Sequence, residues 1–285
     1  MTLPAEAQRL LRSATRYETP CGDGSTVWHT WGEGEPLVLL HGGSGSWMHW
    51  IRSIEPLVAS GRRVVLPDLP GFGDSANAPG GHDADVIVAP LAKGMLQLLG
   101  GAPCDLVGFS FGGMVAGFLA AQMPLRVRRL LIVGAPSLGV GAGKRMPLTA
   151  WRHLKTQDER NAAHRSNLAS LMLLHEESID ELAIGIQAAN VVRDRMAGRR
   201  LAFTDALARA LQTVACPVHA IYGAQDAIYR GYTDELSAAL QAVPNMQSVD
   251  FIADAGHWVQ YERAEPFNHV LTEVLASKGF PVRTG

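Results

Sequence analysis

Cysteine is scarce. Cys21, Cys104 and Cys216 are the only three in 285 residues, odd in number and widely spaced. No disulfide framework follows from them, and no Cys or His pairing has the spacing of a zinc site. Cys104 and Cys216 each stand at the start of an apolar run that reads as a strand, so buried structural thiols are expected. A basic excess is also missing. The formal net charge is −2, with 25 Lys and Arg against 27 Asp and Glu. Such a chain has no field to hold a polyanion, which excludes nucleic acid as the expected partner. No apolar run approaches the ~18 residues of a membrane span. The start, Met1 to Leu11, carries Pro4, Glu6 and Arg9 and does not read as a signal peptide. The expected location is therefore the cytoplasm. Repeats and low-complexity segments are absent as well.

What the chain does have is apolar residues, 47% against 18% charged, enough for a large core. They are arranged as short apolar runs alternating with longer helical stretches, the pattern of parallel βαβ units. Strands are expected at Val27–Trp31, Pro36–Leu40, Arg63–Leu66, Asp105–Gly108, Arg129–Val133, Val218–Tyr222 and Ser248–Ile252. Helices are expected at Trp47–Val58, Asp85–Leu99, Phe111–Gln122, Tyr232–Leu240 and Glu265–Ala276. Between 139 and 211 the strand rhythm stops. Four segments there read as helical: Lys144–Leu154, Glu159–Leu174, Ser178–Met196 and Phe203–Leu211. Ile179, Leu182, Ile186 and Ala189 recur at helical spacing. The expected organisation is a core domain of 1–138 and 214–285, with a helical lid at 139–213. That insertion, roughly 70 residues, is longer than an ordinary connection.

The chemistry is expected at Gly108-Phe109-Ser110-Phe111-Gly112, a G-x-S-x-G pattern between a strand and an apolar helix. A turn that sharp strains the backbone at the serine and needs glycines beside it. It presents the Ser110 hydroxyl at the sheet's carboxyl edge and puts the Phe111 N–H at a helix start, suited to a developing oxyanion. A glycine-rich turn with an incidental serine is the bland alternative. A serine hydroxyl needs a base. Of ten histidines, His257 lies in the loop between the last strand and last helix. His29 and His219 read as strand residues, His153, His164 and His175 as solvated helix positions, and His269 as part of the final helix. Asp226, in the loop after the next-to-last strand, is the expected acid, and Asp254 is its rival. The chain order is then Ser, Asp, His. The loop His41-Gly42-Gly43-Ser44-Gly45-Ser46 supplies a second oxyanion donor, the Gly43 N–H, with His41 bracing the loop. It lacks the lysine of a phosphate loop and the glycine spacing of a dinucleotide site. Ser44, Phe109 and Trp258 are the expected substrate contacts. Met146, Trp151, Met172 and Met196 are candidate pocket liners.

His41-Gly42-Gly43, the Asp68–Ser75 stretch, the Ser110 turn, Gly223–Asp226 and Gly256-His257-Trp258 together resemble the α/β-hydrolase superfamily. The resemblance implies an α/β fold: a mostly parallel sheet flanked by helices, with a helical lid inserted after the sixth strand. His257-Trp258-Val259-Gln260-Tyr261-Glu262, Pro266-Phe267-Asn268 and the segment Asn167–His175 are similar to the meta-cleavage-product hydrolases, which cut a carbon–carbon bond in ring-fission products. Members of that group often carry asparagine where Phe109 stands. They hold the substrate carboxylate with a lid arginine, for which Arg193, Arg195, Arg199 and Arg200 are candidates beside a bland role as a solvated basic cluster. The leading expectation is a carboxylesterase acting on small, largely apolar esters through an acyl-enzyme. Carbon–carbon hydrolysis is the alternative. A hydrolase-like ligand receptor or a cofactor-free oxidoreductase is the reading of another class. Haloalkane dehalogenase and epoxide hydrolase are disfavoured, because they place aspartate where Ser110 stands. No metal or cofactor is expected. The partner is a small-molecule substrate, and a homodimer is left open.

Overall fold

The computed structural model describes residues 3–141, 146–196 and 198–277. Helix α1 (Ala5–Ser13) leads into a hairpin of β1 (Thr15–Cys21) and β2 (Gly24–Trp31), followed by β3 (Glu35–Leu40). A 3₁₀ turn at Trp47–Trp50 precedes α2 (Ile54–Ala59), β4 (Arg62–Pro67), α3 (Ala84–Leu99), β5 (Cys104–Phe109), α4 (Phe111–Gln122) and β6 (Val127–Val133). Helices α5 (Gln157–Asn167), α6 (Glu181–Val191) and α7 (Ala206–Leu211) come next. The chain then returns to β7 (Val218–Gly223), α8 (Thr233–Gln241), β8 (Met246–Ile252), α9 (Val259–Glu262) and α10 (Ala264–Ala276).

The strands form one sheet in the order β1-β2-β4-β3-β5-β6-β7-β8. β2 runs antiparallel to both its neighbours, and the remaining pairs are parallel. Parallel strands joined by helices are covered on both faces, so they read as unbroken apolar runs. In β3, Val38 and Leu40 face the layer of α3, α4, α7 and α8, while Leu37 and Leu39 face the layer of α2, α9 and α10. β1 differs: four of its first five residues are exposed, and it carries Arg16, Glu18 and Pro20 at the sheet's edge. It lacks the apolar run that marks the other strands, so sequence pattern leaves it unread.

Local signals set the helix starts. The Asp83 carboxylate accepts the Ala84 N–H at α3, and Asp180 caps α6 through the Ala183 N–H. Thr156 and Glu159 form a reciprocal capping box at α5. Between β6 and β7 no strand occurs among the described residues, as the pattern predicts. The expected helix over Lys144–Leu154 is a correction. Lys144 and Arg145 lie outside the described residues, and 146–150 are irregular. Pro147 there cannot donate a helical N–H, and the Thr149 N–H is taken by Asn167 Oδ1 at 2.6 Å. The expected helix Glu159–Leu174 is instead α5 followed by a π turn at Leu168–Met172. No helix among the described residues is long and apolar enough to cross a membrane.

Candidate active site

Ser110 sits between β5 and α4 with φ 52° and ψ −120°, a backbone state that L-residues avoid. The surroundings enforce it. A Cβ on Gly108 would overlap the Gly112 carbonyl, and one on Gly112 would overlap the carbonyls of Leu40 and His41. The two glycines of the motif are therefore required by close backbone approach. The Ser110 N–H donates to the Val133 carbonyl at 2.7 Å, which pins the turn to β6.

The Ser110 Oγ lies 2.9 Å from His257 Nε2, and His257 Nδ1 lies 2.8 Å from Asp226 Oδ2. A carboxylate only accepts, so Nδ1 carries the ring proton. Nε2 is then left as the acceptor for the serine hydroxyl. His257 and Asp226 are each 2% exposed. The second carboxylate oxygen of Asp226 accepts the Ile228 N–H at 2.9 Å. The rival Asp254 sits in a turn at φ 51°, and its carbonyl faces His175 Nε2. It has no hydrogen bond to His257 among the described residues.

The relay is held from several sides. Gly134 lies against it, since a Cβ there would come 3.2 Å from the His257 ring and 3.3 Å from Asp226. The next carbonyl, Ala135, accepts hydrogen bonds from both Tyr222 and Tyr229 at 3.0 and 2.8 Å. Burial pushes both phenols up, so they remain protonated donors. On the other side the buried Glu262 carboxylate accepts the N–H groups of Leu174, His175 and Gly256 at 2.8, 2.8 and 2.6 Å. It ties the end of the π turn to the residue before His257. No sequence signal marks the role of Glu262, although it stands within the His257–Glu262 motif of the family resemblance.

Ser110 opens on a cavity of about 670 Å³. The core supplies Gly43, Ser44, Phe109, Phe111 and His257; the segment between β6 and β7 adds Met146, Leu148, Leu171, Met172, Arg199 and Phe203. Gly43 and Phe111 line the cavity with Ser110, and neither N–H has a hydrogen-bond acceptor among the described residues. Ser44 and Phe109 also line the cavity, with the Phe109 ring 5.0 Å from that of His257. Trp258 does not, and this corrects its expected place. It is 1% exposed, stacks on Tyr261 at 4.2 Å, and its indole N–H donates to the His49 carbonyl at 2.9 Å. An indole beside the histidine in sequence points the opposite way, into the core. His164 is a second correction, buried against Trp151 rather than solvated. Met146 and Met172 line the cavity, while Met196 is buried against Gly71.

The arginines separate. Arg193 pairs with Asp74 at 2.9 Å, and Arg195 bonds the Asn77 side chain and the Gly73 carbonyl. Both hold the segment after α6 to the loop after β4. Arg199 has its guanidinium placed against the loop of Gly43 and Ser44. A Cβ on Gly43 would lie 2.7 Å from its Nη1. Its Nη2 is 3.1 Å from both Ser44 Oγ and Asp194 Oδ2, and Ser44 Oγ donates to the same carboxylate at 2.5 Å. Arg200 also borders the cavity. All three cysteines are buried, and burial pushes the Cys104 and Cys216 thiols up to about 12, as suits structural residues.

Residues 37–270 match the alpha/beta hydrolase family. Among similar proteins is a 2-hydroxy-6-oxo-6-phenylhexa-2,4-dienoate hydrolase of Burkholderia cepacia, 30% identical over 259 residues, covering 86% of this chain and 89% of that one. A 2-hydroxy-6-oxononadienedioate/2-hydroxy-6-oxononatrienedioate hydrolase of Comamonas testosteroni is 30% identical over 256 residues, with 86% and 89% covered. Among solved structures, a thermophilic esterase from Thermogutta terrifontis superposes with a TM-score of 0.68 at 24% identity, over 92% of this chain and 98% of that one. The fold, the Ser110 turn and the extent of these matches agree: the chain belongs to the alpha/beta hydrolase family.

Proposed function

We propose that this hydrolase cleaves small, largely apolar carboxylic esters through an acyl-enzyme on Ser110. The observation that carries the reading is the continuous Ser110–His257–Asp226 relay, at 2.9 and 2.8 Å, opening on a mainly apolar cavity. Ser110 Oγ attacks the ester carbonyl as its proton passes to His257 Nε2. Asp226 keeps the proton on Nδ1 and stabilises the imidazolium. The N–H groups of Gly43 and Phe111 hold the tetrahedral oxyanion. Collapse expels the alcohol, which takes its proton from His257. Water, deprotonated by the same nitrogen, then releases the acid. The described residues between 139 and 213 act as the lid that bounds the cavity and sets its shape.

A second reading, carbon–carbon hydrolysis of a ring-fission dienoate, is favoured by one specific observation. The Arg199 guanidinium stands beside Gly43 on the cavity wall, where a substrate carboxylate could pair with it. The named activities of the 30%-identical relatives point the same way. Against it, the apolar Phe109 offers the substrate no hydrogen bond. A panel of p-nitrophenyl esters of graded length and of 2-hydroxy-6-oxo-dienoates, run on the parent and on Ser110→Ala, tests both. Ester turnover by Ser110→Ala at the parent rate would sink the first reading. The second requires dienoate turnover that falls at least tenfold in Arg199→Ala while neutral esters are unaffected; absence of any dienoate turnover removes it.

A further inference from the structure

The backbone on either side of the Gly42 Cα is gripped by two buried histidines. The Gly42 N–H donates to His49 Nδ1 at 3.2 Å, and the Gly42 carbonyl lies 2.8 Å from His41 Nδ1. His41 is 0% and His49 2% exposed. Their tautomers follow from their partners. The Leu69 N–H donates to His41 Nε2 at 2.8 Å, so Nε2 is an acceptor and the His41 proton sits on Nδ1, aimed at the Gly42 carbonyl. His49 Nδ1 accepts, so its proton sits on Nε2. The His49 ring also fixes its surroundings: any Cβ on Gly45 would overlap it, and it packs edge-on against Phe109 at 5.5 Å and Trp258 at 5.1 Å.

We infer that His41 and His49 are positioning residues for the oxyanion site: His49 fixes the His41–Gly42 peptide, and His41 orients and polarises the Gly42–Gly43 peptide that follows, so that the Gly43 N–H points at the reacting oxygen. The inference rests on the reading that Gly43 is an oxyanion donor. In a trans peptide the carbonyl and the following N–H point in opposite directions. A donor bound to the Gly42 carbonyl therefore aims the Gly43 N–H the other way, and glycines on both sides would otherwise leave that plane free to rotate. Hydrogen bonds in a chain polarise one another, so donation from His41 strengthens the Gly43 N–H as a donor. The geometry works only with both rings neutral, because a proton on His49 Nδ1 or His41 Nε2 would face an N–H. Burial lowers both histidines, His49 well below its ordinary range. Around His41, Asp68 and Asp194 act against that lowering and Arg193 with it; around His49, His41 and His257 deepen it.

The test uses the full chain with ester substrate and a boronic acid that mimics the tetrahedral intermediate. His49→Ala should lower kcat about tenfold to a hundredfold with KM nearly unchanged, a fraction of the 10²–10³-fold loss of a whole oxyanion donor. Boronate affinity should fall in step with kcat/KM. His49→Asn, whose amide oxygen can accept the Gly42 N–H where Nδ1 does, should recover most of the loss. His41→Leu and His41→Asn form the matching pair on the carbonyl side. Parent-like kcat and boronate affinity in folded His49→Ala and His41→Leu, with Ser110→Ala inactive, would overturn the inference and leave the reaction assignment standing. Turnover surviving in Ser110→Ala would instead strike that assignment. Should the variants not fold, the ring ¹⁵N shifts of the parent at pH 7.5 decide: neutral rings with Nδ1–H on His41 and Nε2–H on His49 are expected, and either opposite tautomer or a protonated ring overturns the proposal.

Discussion

Strand β5 places polar groups at both its ends, in opposite ways. At its start the fully buried Asp105 accepts from Arg62 Nη1 at 2.8 Å and from Arg128 Nε and Nη2 at 3.0 and 2.9 Å. Glu35 adds a second carboxylate to Arg128 at 2.8 Å. Arg62 and Arg129 then reach the carbonyls of Leu275 and Ser277, fastening the end of α10 under the sheet. At its finish, Ser110 holds a strained backbone and faces a cavity shared with Gly43 and Phe111, whose N–H groups have no acceptor among the described residues. One end is nearly saturated, with a single buried atom, Arg129 Nη1, left without a hydrogen bond, and the other keeps unused hydrogen-bonding capacity beside a base. Saturation locks a fold; capacity held in reserve is what a transition state can draw on.

The sharpest way to break this contrast is at the reactive end. Ser110→Ala should lower ester turnover by several powers of ten, measured by single-turnover kinetics, with the fold intact. The saturated end should behave inversely. Asp105→Ala leaves Arg62 and Arg128 facing each other without their shared carboxylate, and removing one partner of a buried ion pair costs about 3–5 kcal/mol. Urea unfolding should show that loss, while kcat per folded molecule stays at the parent value. A large fall in kcat with unchanged stability would mean that the two ends are not separate.

A pH dependence belongs to the same end. His219, on β7 near Arg129 and hydrogen-bonded to Ser248 Oγ at 3.0 Å, is lowered to about 4, first by burial and then by Arg129. Asp250 and Asp105 oppose the shift. Because the folded ring resists protonation, its contribution to stability is complete above the unfolded value of 6.5 and is lost as pH falls from there toward 4. The loss is at most about 3 kcal/mol, reduced by whatever screening solvent supplies at this end of the sheet. Stability measured from pH 7 to 4 should fall less steeply in His219→Gln, whose side chain has no proton to gain. An unchanged slope would remove His219 from the acid response.

How far the chain's residues announce this arrangement depends on what positions each part. Strands buried on both faces are legible because burial itself writes an apolar run, and β1 is hidden because an exposed edge writes none. Ser110, Asp226 and His257 are legible because each occupies a loop at a strand's carboxyl end, and parallel topology brings those ends together. Arg199 is not separable from Arg193 and Arg195, since three arginines within seven residues differ only in where the chain after α6 turns. Trp258 misleads for a related reason: adjacency to His257 in a loop does not fix which side of the backbone an indole takes. His49 and Glu262 leave no single-sequence signal, because their roles are to hold backbone N–H groups that any residue would present.

The smallest expected effect separates strain from chemistry at Ser110 itself. Alanine and glycine at this position both lack the hydroxyl, so both should be inactive. They differ in the backbone. At φ 52° and ψ −120° alanine keeps the steric penalty of the parent serine, of order 1–3 kcal/mol, whereas glycine escapes it. Glycine also loses more conformational entropy on folding, which offsets roughly 0.5–1 kcal/mol of that relief. Ser110→Gly should therefore be more stable than Ser110→Ala by about 1 kcal/mol, read as a difference in urea midpoint at equal slope. A glycine variant no more stable than the alanine one would mean that the turn is relaxed. The reactive end of β5 would then owe its poise to unused donors alone, with no contribution from a strained chain.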